Sequence, residues 1–370
     1  MQKAKLMANK TNDSKKNRKS LTWLFIIIFG AAFTIDHYIS YSLLSIPLII
    51  STLFSFIATY IGIPRLKELK FKQIIRIEGP ERHQSKAGTP TMGGLLIVPI
   101  GLLIGNLVSI NSQFINQISC LSLLILVFML IGFFDDWRSL TLNTNTGLGA
   151  KEKLALQTIA GLLFISWASW QEWIQTKIYL MDQLYIDLGI FIFPLALFVL
   201  LAESNATNLT DGLDGLASSS GALVFTGLAI QLILRGNQQD LAIAQFSMAL
   251  AGAWMGFLIH NRKPAKVFMG DTGSLAMGAA LSGIALLSNS LWALFIMGGI
   301  FFAESISVII QVWIFKISKR INGKGHRLFL MAPLHHHYEL AGNDETLIVR
   351  NFSLITLGLV LLGLLLRPTY

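Results

Sequence analysis

The sequence predicts an all-α fold: a polytopic integral membrane helix bundle with about ten or eleven transmembrane helices. Apolar residues make up 53% of the 370 residues and charged residues only 13%, which is about half the charged fraction of a soluble domain. The apolar residues form continuous runs of close to 20 residues, a pattern typical of bilayer-crossing helices and not of short alternating barrel strands. Because an unpaired backbone is costly in lipid, we expect these runs to be helical.

The first 40 residues are expected to form two elements that precede the main bundle. Residues 1–20 are polar and carry seven Lys and Arg, which predicts a disordered cytoplasmic tail. Residues 21–40 contain an extra apolar helix, which we expect to be retained because no clear small-residue cleavage site follows it. Asp36 and His37 shorten its apolar part to about 15 residues, so an interfacial helix, with ten spans instead of eleven, is the alternative.

Residues 41–370 are expected to form a single transmembrane catalytic domain. Ten apolar segments, each about long enough to span, lie at 41–63, 92–111, 116–134, 153–170, 185–202, 216–234, 241–259, 272–289, 291–315 and 347–367. With a cytoplasmic N-terminus, 26 of the 29 Lys and Arg fall in cytoplasmic segments, the orientation that the positive-inside rule favours. Membrane topology therefore explains the formal charge of +9, and no nucleic-acid partner is predicted.

The stretch Asn205–Gly215 (NATNLTDGLDG) is the polar segment around which the chain is organised. Ionisable groups at the end of a spanning segment are costly and indicate a functional site. Asp211 and Asp214 are three residues apart and would share one face of a helix. Two carboxylates on one face suit Mg²⁺ or a basic or polar substrate group. A solvated turn rich in Asn, Asp and Gly is the alternative interpretation.

Three further acids lie beside apolar segments on the same predicted face. Asp135 and Asp136 end an apolar segment, where a helix C-terminus disfavours negative charge unless a cation or a proton transfer compensates it. Adjacent side chains diverge on a helix, so one acid could bind a metal while the other acts as a base; a solvated pair is the alternative. Asp271 precedes a helix that Thr272 and Ser274 could cap. Such a site suits phosphate and Mg²⁺ together, although a plain N-cap is the alternative.

The loop Lys86–Gly94 (KAGTPTMGG) has the composition of an anion-binding loop. Lys86 supplies a cation, and glycines at 88, 93 and 94 permit close approach of the backbone. Its N–H groups could therefore hold a phosphate. Contact with anionic lipid headgroups is the alternative.

A late loop carries three consecutive histidines, residues 335–337. Neighbouring side chains diverge and no Cys assists, which argues against a zinc site. We expect the imidazoles to stabilise negative charge or to position a leaving group. Glu304 lies inside an apolar segment and is expected to have a partner there, such as a loop cation.

Five motifs occur in a characteristic order. They are Lys86–Gly94 (KAGTPTMGG), Asp135-Asp136, Asn205–Gly215 (NATNLTDGLDG), Phe268–Ser274 (FMGDTGS) and Met331–Glu339 (MAPLHHHYE). Together they resemble the phospho-N-acetylmuramoyl-pentapeptide transferase (MraY) family, within the polyprenyl-phosphate N-acetylhexosamine-1-phosphate transferases. The similarity runs from about residue 41 to the C-terminus, and five motifs in this order make it highly specific.

The resemblance implies transfer of phospho-MurNAc-pentapeptide from UDP to undecaprenyl phosphate, which gives lipid I and UMP in the first membrane step of peptidoglycan synthesis. It implies Mg²⁺ as the cofactor, and UDP-MurNAc-pentapeptide, undecaprenyl phosphate and membrane lipid as partners; a homodimer is left open. The implied location is the bacterial inner membrane, with the active site facing the cytoplasm. The physical chemistry agrees, because joining two phosphate-bearing anions requires neutralisation by Mg²⁺ and cations.

The same resemblance implies roles for individual residues. Asp271 looks like the Mg²⁺ ligand, with Asp211 as a second ligand, and either Asp135 or Asp136 deprotonates or orients the lipid phosphate. With the sensitive histidine, the expected catalytic residues are Asp135, Asp136, Asp271 and His335. The expected substrate-binding residues are Lys86, Thr91, Asn205, Asn208, Asp211, Asp214, Asn261, Phe268 and His336, of which Phe268 matches the aromatic residue that stacks on uracil.

Two features depart from the family pattern. Members often carry Lys shortly after the acidic pair, where this chain has Trp137-Arg-Ser-Leu140, so Arg138 or Lys153 is left to supply the charge. The family is usually described with ten helices and both ends outside, whereas an extra apolar segment and a basic tail precede the matching region here.

Two other functions are alternatives to this one. Transfer of GlcNAc-1-phosphate to a polyprenyl phosphate shares the acidic motifs, but the MAPLHHHYE loop favours the muramoyl-pentapeptide type. A transporter would place acids near helix centres and show internal repeats. The acids instead cluster on one side and no repeat is visible.

Overall fold

The computed structural model describes residues 22–69, 88–142, 147–181 and 184–366. These residues form thirteen α-helices and one two-stranded hairpin, so the predicted all-α class is confirmed. The predicted tail at 1–20 and the candidate residue Lys86 lie outside the described residues.

The helices are numbered in chain order. α1 spans Thr22–Tyr38. The others are α2 Ser45–Glu68, α3 Gly94–Val108, α4 Ile115–Thr141, α5 Ala150–Trp170, α6 Ile192–Thr210, α7 Leu216–Arg235, α8 Gln238–Asn261, α9 Gly270–Leu287, α10 Leu291–Met297, α11 Gly299–Asn322, α12 Leu334–Leu340 and α13 Glu345–Leu365.

Seven helices of the described chain are long and apolar enough to cross a membrane: α2, α4, α6 with its preceding 3-10 turn, α7, α8, α11 and α13. α1 and α3 are shorter apolar helices. Each of the eleven predicted segments overlaps a helix, and segment 291–315 is divided at Gly298 between α10 and α11. The multi-pass class is confirmed, whereas the number of crossings stays a prediction.

The extra helix α1 is packed into the bundle. Leu24, Ile28 and Ala32 are fully buried, and their four-residue spacing places them on one helix face. At its other end, Asp36 accepts hydrogen bonds from the N–H groups of Leu44 (2.7 Å) and Ser45 (2.8 Å). Asp36 therefore caps the start of α2, which gives this charged residue a structural partner.

Helices α7, α8 and α9 form the buried centre of the bundle. α9 is buried along all of Thr272–Leu287 and packs against α3, α4 and α6. α8 packs against α2, α3 and α7, while α13 covers α7. The first turn of α9, which carries Asp271, therefore begins where α4 and α6 converge on it.

The sequence did not predict a hairpin between α5 and α6. Strand β1 (Lys177–Met181) pairs antiparallel with β2 (Leu184–Asp187), with Lys177 opposite Asp187 and Tyr179 opposite Tyr185. The apolar run at 185–202 predicts a helical segment from residue 185 onward. Helix α6 begins only at Ile192, because aromatic and branched residues at 184–187 favour the strand pairing that precedes it.

A buried ion pair joins the α7–α8 connection to the α9–α10 connection. Arg235 Nε lies 2.9 Å from Asp240 Oδ2, and the two side chains are 2% and 5% exposed. Arg235 also donates to the carbonyl oxygen of Ser288 at 2.7 Å. Removing one partner of such a pair leaves a buried charge without compensation.

We expect Arg235→Met to lower the free energy of unfolding by about 3–5 kcal/mol, because Asp240 is left buried without its positively charged partner. The double variant Arg235→Met/Asp240→Leu should regain most of this loss, since no buried charge remains. Thermal unfolding of the purified proteins in one detergent measures both effects. Equal midpoints for the single and double variants would contradict the explanation.

Candidate active site

Three carboxylates converge at the first turn of α9. Single oxygen atoms of Asp135, Asp136 and Asp271 all lie within 4.8 Å of one another. Asp135 and Asp136 come from α4, which continues to Thr141. We had expected the two acids to end this helix, and that expectation was wrong: they lie inside its last two turns, so the unfavourable terminal dipole does not act on them.

Asp136 holds the N-terminus of α9. Its carboxylate accepts hydrogen bonds from the N–H groups of Asp271 (3.2 Å) and Thr272 (3.0 Å) and from the Thr272 hydroxyl (2.6 Å). The predicted capping by Thr272 and Ser274 is wrong, because the Ser274 hydroxyl donates instead to the Gly270 carbonyl at 3.1 Å. A side chain of α4 thus satisfies donors that a helix normally satisfies from its own N-cap.

A glycine makes this approach of α4 to α9 possible. A Cβ atom added at Gly132 would lie 2.1 Å from the carbonyl oxygen of Asp271 and 2.6 Å from the Thr272 nitrogen. Any larger residue would push the two backbones apart, and Asp136 on the following turn of α4 would move with it.

The sequence left two candidates for the cation beside the acidic pair, Arg138 and Lys153. In the structure, Lys153 on α5 is the one that contacts the acidic group. Its ammonium contacts Asp271 Oδ2 and lies 4.0 Å from Asp135 Oδ1. Arg138, the other candidate, instead pairs with the exposed Glu152 at 3.0 Å. Lys153 is therefore the cation of the acidic group.

The charges of the group fit a divalent cation. With all three carboxylates ionised, the state in which they would bind a metal, the group and the Lys153 ammonium carry a formal net charge of −2, and oxygen-rich sites suit Mg²⁺. Burial raises the pKa of Asp271, but the Lys153 ammonium and hydrogen bonds from Lys153 and Asn208 outweigh it, so this pKa lies below its ordinary value. Asp271 is therefore ionised at neutral pH, as a metal ligand must be.

Two asparagines lie on the last turns of α6. The Asn208 amide donates to Asp271 Oδ1 at 2.7 Å and to the Ser274 hydroxyl at 2.9 Å. The Asn205 amide donates to Gln157 Oε1 at 2.9 Å. The structure thus brings Asn208 into direct contact with the acidic group, while Asn205 reaches α5.

The residues after α6 form a turn. α6 ends at Thr210, and Gly215 adopts a left-handed conformation with φ 84° before α7 begins. The expectation that Asp211 and Asp214 share a helix face is therefore wrong. Asp214 is buried and accepts a hydrogen bond from the Ala265 N–H at 2.9 Å. Asp211 is partly exposed and does not belong to the three-carboxylate group.

The predicted phosphate loop pairs with the segment before α9. The N–H groups of Gly93 and Gly94 donate to the carbonyls of Phe268 (2.8 Å) and Met269 (3.0 Å). Both donors are used by the backbone, so these two N–H groups are not free to hold a phosphate, and anion binding by the rest of the loop stays a prediction. Phe268 is held by this pairing with its ring partly exposed.

Two further candidates border the site. Thr91 is buried, and a Cβ added at Gly270 would lie 2.9 Å from its hydroxyl and 2.5 Å from Asp136 Oδ2. Asn261 is buried too, and its amide donates to the Val267 carbonyl at 3.0 Å. Asn261 therefore shapes the loop that presents Phe268.

The three consecutive histidines contact three different groups. His335 Nδ1 lies 3.2 Å from Glu304 Oε1, and His336 Nδ1 lies 3.2 Å from Glu339 Oε2. His337 Nδ1 accepts a hydrogen bond from the Leu330 N–H at 3.2 Å. Glu304 thus has the partner that the sequence led us to expect, and that partner is His335.

Sequence reasoning missed Gln157, which accepts from Asn205, and missed the contact of Ser274 with Asn208. For both residues, the sequence signal for these contacts is their helical spacing from a residue of the site. Ser274 lies three residues after Asp271 on α9, and Gln157 lies four residues after Lys153 on α5, so each shares a face with a residue of the acidic group.

Comparisons with known proteins agree with the motifs. Residues 118–289 match the family model described as Glycosyl transferase family 4, and residues 86–98 match the phospho-N-acetylmuramoyl-pentapeptide-transferase signature 1. A protein of Prochlorococcus marinus (strain MIT 9313) is 63% identical over 354 residues, which cover 96% of this chain and 95% of that protein.

Two more relatives extend the likeness. A protein of Synechococcus sp. (strain CC9605) is 59% identical over 345 residues, covering 93% of this chain and 99% of its own length. A protein of Microcystis aeruginosa (strain NIES-843 / IAM M-2473) is 47% identical over 344 residues, with coverages of 93% and 95%. All three relatives are named phospho-N-acetylmuramoyl-pentapeptide-transferase.

Proposed function

The chain belongs to the phospho-N-acetylmuramoyl-pentapeptide-transferase family, and on that premise we propose that Asp135, Asp136 and Asp271 form its Mg²⁺-dependent transfer site. The enzyme moves phospho-MurNAc-pentapeptide from a UDP carrier to a lipid carrier, which we take to be undecaprenyl phosphate. An oxygen of the acceptor phosphate forms a bond to the sugar-linked phosphorus. The phosphoanhydride bond to the uridine-bearing phosphate breaks, and UMP leaves.

The grouping of three carboxylates around the Lys153 ammonium is the observation that carries this proposal. Asp271 and Asp135 are the residues that would hold Mg²⁺, because Asp136 already accepts three hydrogen bonds from α9. When bound, Mg²⁺ would neutralise phosphate charge and polarise the phosphorus under attack. Lys153 keeps the group from carrying a larger negative charge and offers donors to phosphate oxygens.

The environments of the adjacent acids favour different roles for them. Asp136 is engaged with the α9 backbone, so we assign it the positioning of Asp271. Asp135 accepts one backbone hydrogen bond, from the Leu148 N–H at 3.0 Å, and it faces Lys153. Asp135 is thus the acid better placed to orient or deprotonate the acceptor phosphate, a choice that the sequence left open.

The uridine end of the donor is assigned to the surface between the 211–215 turn and the loop before α9. Phe268 is partly exposed, and an aromatic ring there could stack on uracil. Asp211 lies on the same turn as Asp214, and the Ala265 hydrogen bond to Asp214 ties this turn to the Phe268 loop. The assignment of Lys86 to this face stays a prediction.

An assay of UMP release tests the proposed function. Purified protein with UDP-MurNAc-pentapeptide and undecaprenyl phosphate should release UMP when Mg²⁺ is present and not when a chelator removes it. UDP-GlcNAc as the donor is the matched control and should give little UMP. Faster release from UDP-GlcNAc would favour the sister activity, and release without a divalent cation would reject the metal assignment.

The proposed cytoplasmic position of the N-terminal tail depends on an odd number of crossings. A tail with seven positive charges is expected inside, which requires α1 to span and the C-terminus to lie outside. In a Cys120→Ala background, an impermeant thiol reagent applied to intact cells should label Thr369→Cys and spare Ser14→Cys. Labelling of both positions would reject eleven helices in favour of ten.

A further inference from the structure

His335 and Glu304 form a pair that is completely buried. Both side chains are 0% exposed, and Nδ1 of the imidazole lies 3.2 Å from Glu304 Oε1. The same carboxylate oxygen accepts a hydrogen bond from the His335 backbone N–H at 3.3 Å. Glu304 on α11 therefore accepts a hydrogen bond from the backbone at the start of α12 and lies in contact with the imidazole, whose Nδ1 makes no hydrogen bond to it in this structure.

The other edge of the imidazole lies beneath the 211–215 turn. A Cβ atom added at Gly212 would lie 2.2 Å from His335 Nε2, 2.9 Å from Cε1 and 3.2 Å from Cδ2. The three nearest atoms all belong to this one ring. Gly212 does not have the positive φ that would itself require glycine, so its lack of a side chain serves to admit the imidazole.

The turn above this ring links two parts of the proposed donor site. It begins directly after α6, whose Asn208 contacts Asp271. It also carries Asp214, which binds the Ala265 N–H in the loop that presents Phe268. A shift of the turn would therefore change the distance between the acidic group and the uracil-stacking surface, and misplacement by about 1 Å can cost roughly 100-fold in rate.

We propose that Glu304 and His335 are positioning residues for donor binding: Glu304 fixes the imidazole, and the imidazole supports the Gly212 turn from below. This gives His335 a different role from the direct charge stabilisation that the sequence suggested. The inference rests on the proposed placement of the nucleotide at this turn.

A double-variant cycle tests the contact between Gly212 and His335. Gly212→Ala should lower kcat/KM by roughly 100-fold, because the added methyl group displaces the ring or the turn. In a His335→Ala background the same change meets no ring, so we expect less than about a twofold further loss. If the losses of kcat/KM caused by Gly212→Ala and by His335→Ala multiply in the double variant, the two residues act independently and the proposal is overturned.

Kinetic constants separate positioning from general damage. Gly212→Ala and His335→Ala should raise the KM for UDP-MurNAc-pentapeptide and leave the KM for undecaprenyl phosphate within about twofold. A fall in kcat alone, with both KM values unchanged, would indicate lost folded protein and would overturn the proposal. Gly358→Ala, where a Cβ meets nothing within 4 Å, and His326→Ala, at an exposed residue, are the matched controls.

Replacements of Glu304 test how the carboxylate acts. Glu304→Gln keeps an oxygen that accepts hydrogen bonds in the same place, so it should stay within about threefold of the original kcat/KM, whereas Glu304→Ala should match His335→Ala. Added to His335→Ala, Glu304→Ala should cause no further loss. Equal damage from Gln and Ala would overturn the positioning role.

Thermal midpoints of every variant establish that the protein is folded. If His335→Ala does not fold, the test rests on Gly212→Ala and Glu304→Gln, because both variants keep the histidine. A raised donor KM in Gly212→Ala together with near-normal kinetics in Glu304→Gln supports the proposal. A normal donor KM in Gly212→Ala together with impaired kinetics in Glu304→Gln overturns it. Mg²⁺-dependent UMP release by the unaltered enzyme tests the proposed function separately. If the unaltered enzyme passes that assay but the effects of Gly212→Ala and His335→Ala multiply in the double variant, the positioning role is rejected and the proposed function stands.

Discussion

Asp271→Asn is expected to reduce transfer by roughly 1,000-fold or more while leaving the protein folded and inserted. The asparagine keeps the shape and the hydrogen-bonding capacity of the side chain, but it removes the negative charge that contacts Lys153. Loss of a metal-binding carboxylate removes several kcal/mol of transition-state charge stabilisation, and each 1.36 kcal/mol is a factor of ten in rate. UMP release at limiting and at saturating Mg²⁺ measures the effect.

Asp187→Asn is the matched control for this prediction. Asp187 is exposed in the hairpin that precedes the N-terminus of α6, whereas the acidic group lies near the C-terminus of that helix. The same chemical change at Asp187 should therefore leave UMP release unaltered. The unfolding midpoint of Asp271→Asn should also stay close to that of the original protein. Near-normal turnover of Asp271→Asn at limiting Mg²⁺ would show that the metal assignment is wrong.

Lys153→Met is expected to lower the maximal rate by roughly 100- to 1,000-fold, in the range seen when one donor to a developing charge is removed. The same variant should need less Mg²⁺ for half of its maximal rate. Without the ammonium, the formal net charge of the group in its metal-binding state changes from −2 to −3, which strengthens attraction for a divalent cation. Both Lys153→Met and Asp271→Asn should lower the rate. They should differ in their metal requirement, because Lys153→Met should need less Mg²⁺ and Asp271→Asn should need more.

Lys151→Met provides the comparison, because Lys151 lies on the same helix with an exposed side chain. It should change neither the rate nor the metal requirement. A Mg²⁺ titration of UMP release, carried out on both variants in parallel, gives the two quantities. If Lys153→Met needs more Mg²⁺, the ammonium supports metal binding instead of opposing it, and the charge argument fails.

The acids could be found from the sequence because each lies at the end of an apolar run. Asp135, Asp136 and Asp271 are costly to place there, and a costly placement indicates a function. Their mutual contacts could not be found in this way. The hydrogen bond between Asp136 and the Thr272 N–H joins residues 136 positions apart, and no helical or strand period extends so far.

The errors arose where a local pattern has two structural solutions. Asp211 and Asp214 would share a face if α6 continued, but spacing alone does not say where a helix ends; the two glycines at 212 and 215 were the signal for a turn. Gly93 and Gly94 have donors suited to phosphate, but the carbonyls of Phe268 and Met269 accept them first. That competition involves a segment far along the chain, so the loop sequence could not reveal it.

The capping of α9 by Asp136 affects how mutational surveys of this enzyme should be interpreted. A selection for cell growth is expected to mark Asp135 and Asp136 as equally intolerant, because on the proposed roles a substitution at either position lowers transfer. Protein abundance scored in the same library should separate them. Substitutions at Asp136 release three donors at the start of a buried helix and reduce the amount of folded protein, whereas Asp135→Asn should yield abundant and inactive protein. Intolerance at Asp136 would then result from loss of folded protein, whereas intolerance at Asp135 would result from loss of activity in folded protein.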